Sequence, residues 1–140
     1  MRSAGSLILA SLVLFLPVYS GCGGGDLMMD RARQLQSMVA VRNLGTCIEI
    51  YISEFNVPPE AADIDELILV LEKEGYGDMT LDTLDGWENP LVYEVTDSSG
   101  YRIISYGADG QPGPEPQVEG RVSSYAEDII LENGRLVQRP

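Results

Sequence analysis

Residues 85–113 read D-G-W-E-N-P-L-V-Y-E-V-T-D-S-S-G-Y-R-I-I-S-Y-G-A-D-G-Q-P-G. Two short runs rich in β-branched and aromatic residues, 91–95 and 101–106, are joined by the polar residues 96–100, and the second run opens into a loop of Gly, Pro and Asp. That order predicts a β-hairpin delivering a polar loop. Tyr93 and Val95 alternate with Val92 and Glu94, and Ile103 and Ser105 with Ile104 and Tyr106, so each strand turns one face to a core and the other partly to water. Asn89-Pro90 suits a turn into the first strand, because Pro lacks the donor that a central ladder position needs. Trp87, just ahead of that strand, reads as cover for the edge of the core.

What packs on the hairpin lies upstream. Residues 26–55 contain no Pro and place Val41, Leu44, Ile48, Tyr51 and Phe55 at intervals of 3, 4, 3 and 4, which draws one stripe along a helix. Thirty helical residues extend about 45 Å, so the polar first half, with Arg31, Arg33, Gln34 and Gln36, is expected to project from the domain. The stripe is expected to lie on the hairpin sheet; a partner helix is the alternative, and the projecting half is where it would sit. Gly45 costs about 1 kcal/mol of helix stability against Ala. Asn56-Val57-Pro58-Pro59 stops the helix. A second helix is expected over about 63–74, with Asp63 and Glu66 as a capping box, Ile64, Leu67, Ile68 and Leu71 as its apolar face and Gly75 as its stop. Asp78, Asp82 and Asp85 follow in a connecting loop and read as solvated acids. Near the C-terminus, residues 129–137 read as another small hairpin around Asn133-Gly134, added to a sheet edge or offering one to a partner.

The run W-E-N-P-L-V-Y at 87–93, the hairpin after it and S-Y-G-A-D-G-Q-P-G at 105–113 resemble the C-terminal domain of the major pseudopilin of type II secretion, the general secretion pathway G protein. The likeness covers roughly residues 31–129. The family pattern is D-P-W-G-N-P-Y, a strand pair, S-Y-G-A-D-G-x-x-G and a later D-I; Gly86 and Glu88 stand here where Pro and Gly are usual. The resemblance implies an α+β, pilin-like fold: a long N-terminal helix on a small antiparallel sheet, with a second short helix and a C-terminal loop. It implies residues 31–140 as the pseudopilin-like domain, its spine helix over about 26–55 and its sheet and loop over 85–140.

The start of the chain departs from that family. Arg2, an apolar run over 7–18 and the small residues Ser20 and Gly21 ahead of Cys22 read as an export signal too short to remain as a spanning helix. Tyr19-Ser20-Gly21-Cys22 resembles a bacterial lipobox, with Tyr in place of the usual Leu. Residues 1–21 would then be a signal peptide, Cys22 would carry diacylglycerol and acyl lipid, and residues 22–30 would form a flexible tether led by three glycines; an incidental Cys22 with ordinary cleavage is the alternative. No prepilin-peptidase site of the G-F-T-L-x-E kind is present, so entry into a filament by the usual route is not expected. Gly23 after Cys22 favours sorting to an outer membrane where the host has one.

Net charge is −13, and without residues 1–21 the chain keeps 8 basic against 22 acidic residues, or −14. That balance argues against nucleic acid and against adhesion to anionic lipid, and suits a surface that meets cations. There is no His, Lys73 is the one lysine, and no phosphate-cradling loop or G-x-S-x-G elbow occurs, so neither catalysis nor a small-molecule substrate is expected. Asp82 and Asp85 as a glycosidase pair lack an aromatic cleft. Cys47 reads as a small hydrophobe on the helix.

The loop after residue 106, long and with little regular structure, invites either disorder or a bound ion, ordinary solvated acids being the alternative. Asp109 offers a hard oxygen beside Gly110, and calcium gathers six to eight such oxygens, although the spacing is not that of an EF-hand. The resemblance implies calcium held by Asp109, by Asp128 of E-D-I-I and by the carbonyl of Tyr106. Pro112, Pro114 and Pro116 lengthen the path between the two acids, and Glu115, Glu119 or Glu127 are alternative donors. The expected function is that of a lipid-anchored, non-enzymatic envelope protein serving type II secretion or a related pilus machine; a stand-alone envelope lipoprotein using the fold for another binding task is the alternative.

Overall fold

The computed structural model describes residues 23–76, 81–97, 99–114 and 120–140. Helix α1, Gly23–Phe55, is the element on which the rest packs. At 33 residues it is about 50 Å long. Val41, Leu44 and Ile48 of the expected stripe are fully buried, together with Ala40 and Cys47. Tyr51 is half-buried, whereas Phe55 is exposed and stacks on Tyr51 with ring centroids 4.4 Å apart. The chain turns away just beyond it, at Asn56 with φ 61°, before the buried Pro58 and Pro59. The helix starts earlier than expected, so the stretch read as a flexible tether is helical from Gly23 on; Asp26 in the first turn offsets the positive end of the helix dipole. Among the described residues no helix is long and apolar enough to cross a membrane.

Helix α2, Ile64–Leu71, buries Ile64, Leu67 and Leu71 against this core. Asp63 caps it by accepting the Glu66 amide at 2.9 Å, and the Glu66 carboxylate accepts the Ala62 amide at 2.7 Å, one residue before the usual box partner. A π-type turn, Glu72–Tyr76, follows and is broken at Gly75, whose φ of 93° no side-chain-bearing residue adopts easily.

The sheet comprises β1 Val92–Val95, β2 Tyr101–Ser105, β3 Gly120–Arg121, β4 Ile129–Glu132 and β5 Arg135–Arg139, in the order β1-β2-β4-β5-β3. The fold is α+β as expected, but the sheet is mixed: β3 runs parallel to β5 at one edge. The expected hairpin β1–β2 forms with Tyr93 opposite Ile103. The C-terminal pair does not merely extend an edge. β4 pairs with β2 in the middle of the sheet, because Ile129, Ile130 and Leu131 are all buried and so need cover on both faces. Asn133 (φ 49°) and Gly134 (φ 74°) make its turn, and Asn133 Oδ1 accepts the Tyr101 amide at 2.9 Å, pinning it to β2.

Gly45 is explained by packing rather than by helix propensity. A Cβ there would stand 2.9 Å from Leu131 Cδ1, so its absence lets β4 lie close on α1. Tyr93 and Tyr101 cross the core and end in hydrogen bonds, to the Pro59 carbonyl at 2.7 Å and to Glu49 at 2.8 Å. Burial pushes the Cys47 thiol above its ordinary value, consistent with a core role.

Candidate functional site

Three loops meet at the end of the sheet where β2 finishes and β4 begins. The first runs from 84 to 90. Asp85, read from sequence as a solvated acid, is 2% exposed. Its Oδ1 accepts the amides of Trp87 and Asn89, both at 2.9 Å, and its Oδ2 accepts the Ser105 hydroxyl at 2.8 Å. One carboxylate therefore closes the turn before β1 and ties it to the end of β2. Asp82 is exposed as expected, and Asp78 lies outside the described residues.

The same loop is docked on α1. The Gly86 amide donates to Ser37 Oγ at 2.9 Å, and that hydroxyl donates to the Arg33 carbonyl at 2.9 Å. A Cβ on Gly86 would fall 2.1 Å from the Arg33 oxygen. Proline, usual here in the resembling pattern, would also remove the donated N–H. Gln34 and Ser37 are consequently buried, so the polar half of α1 projects only over its first turns. Glu88 adopts φ 67°, a left-handed conformation that suits the Gly of that pattern better than Glu.

The second loop follows β2. Tyr106 is half-buried, and burial, with the nearby charges of Glu94 and Asp128, pushes its phenol above the ordinary value. A 3-10 turn, Gly107–Asp109, comes next, with Gly107 at φ 70° and its would-be Cβ 2.7 Å and 2.8 Å from the carbonyl oxygens of Tyr125 and Glu127. The Ala108 amide donates to the Tyr125 carbonyl at 2.7 Å, and Asn89 Nδ2 donates to the Gly107 carbonyl at 2.9 Å. Asp109 is exposed, and its Oδ1 accepts the Gln111 amide at 3.0 Å.

The third loop leads into β4. Asp128 is 1% exposed and its Oδ2 accepts the Gly113 amide at 3.0 Å. The Pro-rich path thus does return the second acid to the first acid's loop. Ser105 lies opposite Ile129, which carries Tyr106 toward Asp128 one step beyond the ladder. Glu127 is committed elsewhere: Ser123 donates its amide at 3.0 Å and its hydroxyl to that carboxylate, holding it below the usual range. Glu115 and Glu119 lie outside the described residues, as does Cys22. Trp87 covers the junction half-buried, its ring 6.5 Å from Tyr125. Among the described residues, no group of three or more His, Cys, Asp or Glu is placed to hold a metal.

Sequence reasoning missed Asp85 and Ser37. An Asp followed by Gly and, four residues on, by Asn before Pro is the signature of a side chain closing its own turn, and it was available at 85–90. Nothing local marked Ser37, since its partner Gly86 lies 49 residues away.

Comparison with curated proteins and with solved structures gave no match. The family model described as type II secretion system (T2SS), protein G, matches residues 27–120, from the second turn of α1 to the first residue of β3. Asp109 falls inside that span, and Asp128 and the β4–β5 hairpin fall beyond it. With two thirds of its length matched, and with the long helix, short helix and strand pair in the pilin-like order, the chain belongs to the type II secretion system protein G family.

Proposed function

We propose that this chain is a lipid-anchored pseudopilin of the cell envelope, a structural rather than catalytic component that serves type II secretion. The observation that carries the reading is the family match across 27–120, which runs through the spine helix and the S-Y-G-A-D-G loop together. The anchor rests on Tyr19-Ser20-Gly21-Cys22, and residues 1–21 would be removed on export. Diacylglycerol with a further acyl chain on Cys22 meets the two-signal requirement for stable attachment. A family domain held this way would stand beside the machine's filament rather than within it, with the outer membrane as its favoured site.

The loop junction is also proposed to hold calcium. The donors are of the right kind: hard carboxylate oxygens of Asp109 and Asp128 and the carbonyl of Tyr106. Asp128 supports the reading, because a carboxylate so deeply buried is costly unless hydrogen bonds or a cation offset its desolvation. Bound calcium would fix the Pro-rich loop against the sheet, and its binding energy would appear as folding stability.

The association is tested in the native host by placing a photo-crosslinking residue at Leu35, which is exposed on α1. Adducts with secretion-machine components, lost when Cys22→Ala releases the protein from the membrane, are the expected result. Adducts only with unrelated envelope proteins would favour the stand-alone lipoprotein, a reading motivated by the lipobox-like Tyr19-Ser20-Gly21-Cys22.

A further inference from the structure

The face of α1 away from the loop junction forms one wall of a cleft of about 560 Å³, closed on its other side by the β4–β5 hairpin. Arg42, Gly45, Thr46 and Glu49 follow one another at helical spacing along the first wall; Leu131, Gly134 and Leu136 supply the second, with Arg135 and Arg139. This size suits a bound group. Three arginines converge here in a chain whose net charge is −13 and which has 9 basic residues in all. A fourth, Arg121, sits beside Arg139 in the β3–β5 register. The one acid in the lining, Glu49, accepts the Tyr101 hydroxyl at 2.8 Å and keeps its charge, and one carboxylate against three arginines leaves the lining net positive.

We infer that this cleft binds a short acidic segment of a partner protein, its carboxylates on Arg42 and Arg139 and an apolar side chain on Leu131 and Leu136. Guanidinium groups match carboxylates in a planar, two-point fashion that Lys cannot reproduce. The choice among anions follows from range. A long polyanion, such as nucleic acid or an anionic bilayer, meets the field of the whole acidic protein and is repelled, whereas a short segment meets mainly the local excess of positive charge within a Debye length of about 8–10 Å. The inference needs neither the lipid nor calcium. Five of the nine lining residues lie in the β4–β5 hairpin beyond residue 120, outside the span of the family match.

The test uses the full mature chain purified in mild detergent and a fluorescein-labelled eight-residue peptide alternating Glu with Val and Thr, followed by anisotropy. Saturable binding is expected, weakened by added salt and at least tenfold by the double change Arg42→Gln with Arg139→Gln. The pair Arg31→Gln with Arg33→Gln, exposed on the first half of α1, should leave it within twofold. All four side chains are exposed, so unfolding midpoints should match the parent's and show that the variants are folded. A peptide with Lys for Glu should not bind. No saturable binding, equal losses in both double variants, or equal affinity through Arg42 and Arg139 for duplex DNA or phosphatidylglycerol vesicles would each overturn the inference.

Discussion

Replacing Asp85 by Ala should cost this small domain a large part of its stability. The carboxylate accepts three hydrogen bonds at 2.8–2.9 Å, from the Trp87 and Asn89 amides and the Ser105 hydroxyl, at a site 2% exposed. A bond to a charged acceptor contributes about 1.5–3 kcal/mol, and three that share one carboxylate do not add fully, so the loss is set at about 3–5 kcal/mol. Alanine also leaves all three donors without this acceptor, and the Ser105 hydroxyl among them is fully buried. At about 4 °C per kcal/mol for a domain near a hundred residues, the midpoint should fall by about 12–20 °C. Asp85→Asn keeps an oxygen for the two amides and turns an amide toward Ser105, which can accept it; its loss should be smaller, about 1–2 kcal/mol. Urea and thermal unfolding of both variants, with the exposed Asp82→Ala as control, measures this directly. If Asp85→Ala lies within about 1 kcal/mol of the control, the carboxylate does not organise the junction and the reasoning fails.

Three further outcomes follow from the same geometry. Gly86→Ala should destabilise by about 3 kcal/mol or more, since its Cβ meets the Arg33 backbone oxygen at 2.1 Å and the loop must lift off α1; an unchanged urea midpoint would refute the docking. Raising pH should weaken the fold above about 10, because burial raises the phenols of Tyr93 and Tyr101, and Glu54 pushes Tyr76 up to about 12. A tyrosine that keeps its proton longer when folded stabilises below its ordinary pKa and loses that contribution as pH climbs; absorbance at about 295 nm should show Tyr93 and Tyr101 ionising only with unfolding, and ionisation in the folded state would contradict it. Excess calcium should raise the unfolding midpoint over excess chelator, by an amount equivalent to about 2.7 kcal/mol at a hundredfold excess over Kd, and Asp109→Ala should abolish the rise; identical midpoints in all conditions would remove the ion from the account.

Much of the fold was legible because its signals are local. The stripe at Val41, Leu44 and Ile48 and the cap at Asp63 follow from patterns that a few residues reveal. The expected alternation, by contrast, fails where β2 is covered on both faces, with Ile103, Ile104 and Ser105 all buried, and at Val95, which is exposed at the end of β1. What escaped was set by partners distant in sequence. Gly45 reads as a defect in a helix until Leu131, 86 residues on, needs its space. Asp85 reads as a loop acid until Ser105 reaches it. The central place of β4 was hidden because a short apolar run bounded by turns looks alike at an edge or in the middle, and only its burial on both faces decides. At the junction, the pairing of Asp109 with Asp128 came from the family resemblance alone, and the three intervening prolines left open whether the second acid returns; the Gly113 amide on Asp128 shows that it reaches that loop. Sequence could not assign Glu127, whose carboxylate is taken by Ser123 within its own turn.

The form of attachment to the envelope decides how a protein G domain with this start is used, and the intact mass of the mature protein extracted from host membranes measures it. The account predicts a chain that begins at Cys22 and whose excess mass there equals a thioether-linked diacylglycerol, with or without a further acyl chain, and which Cys22→Ala abolishes. An unmodified N-terminus at any position, or a retained residue 1–21 segment, would contradict it.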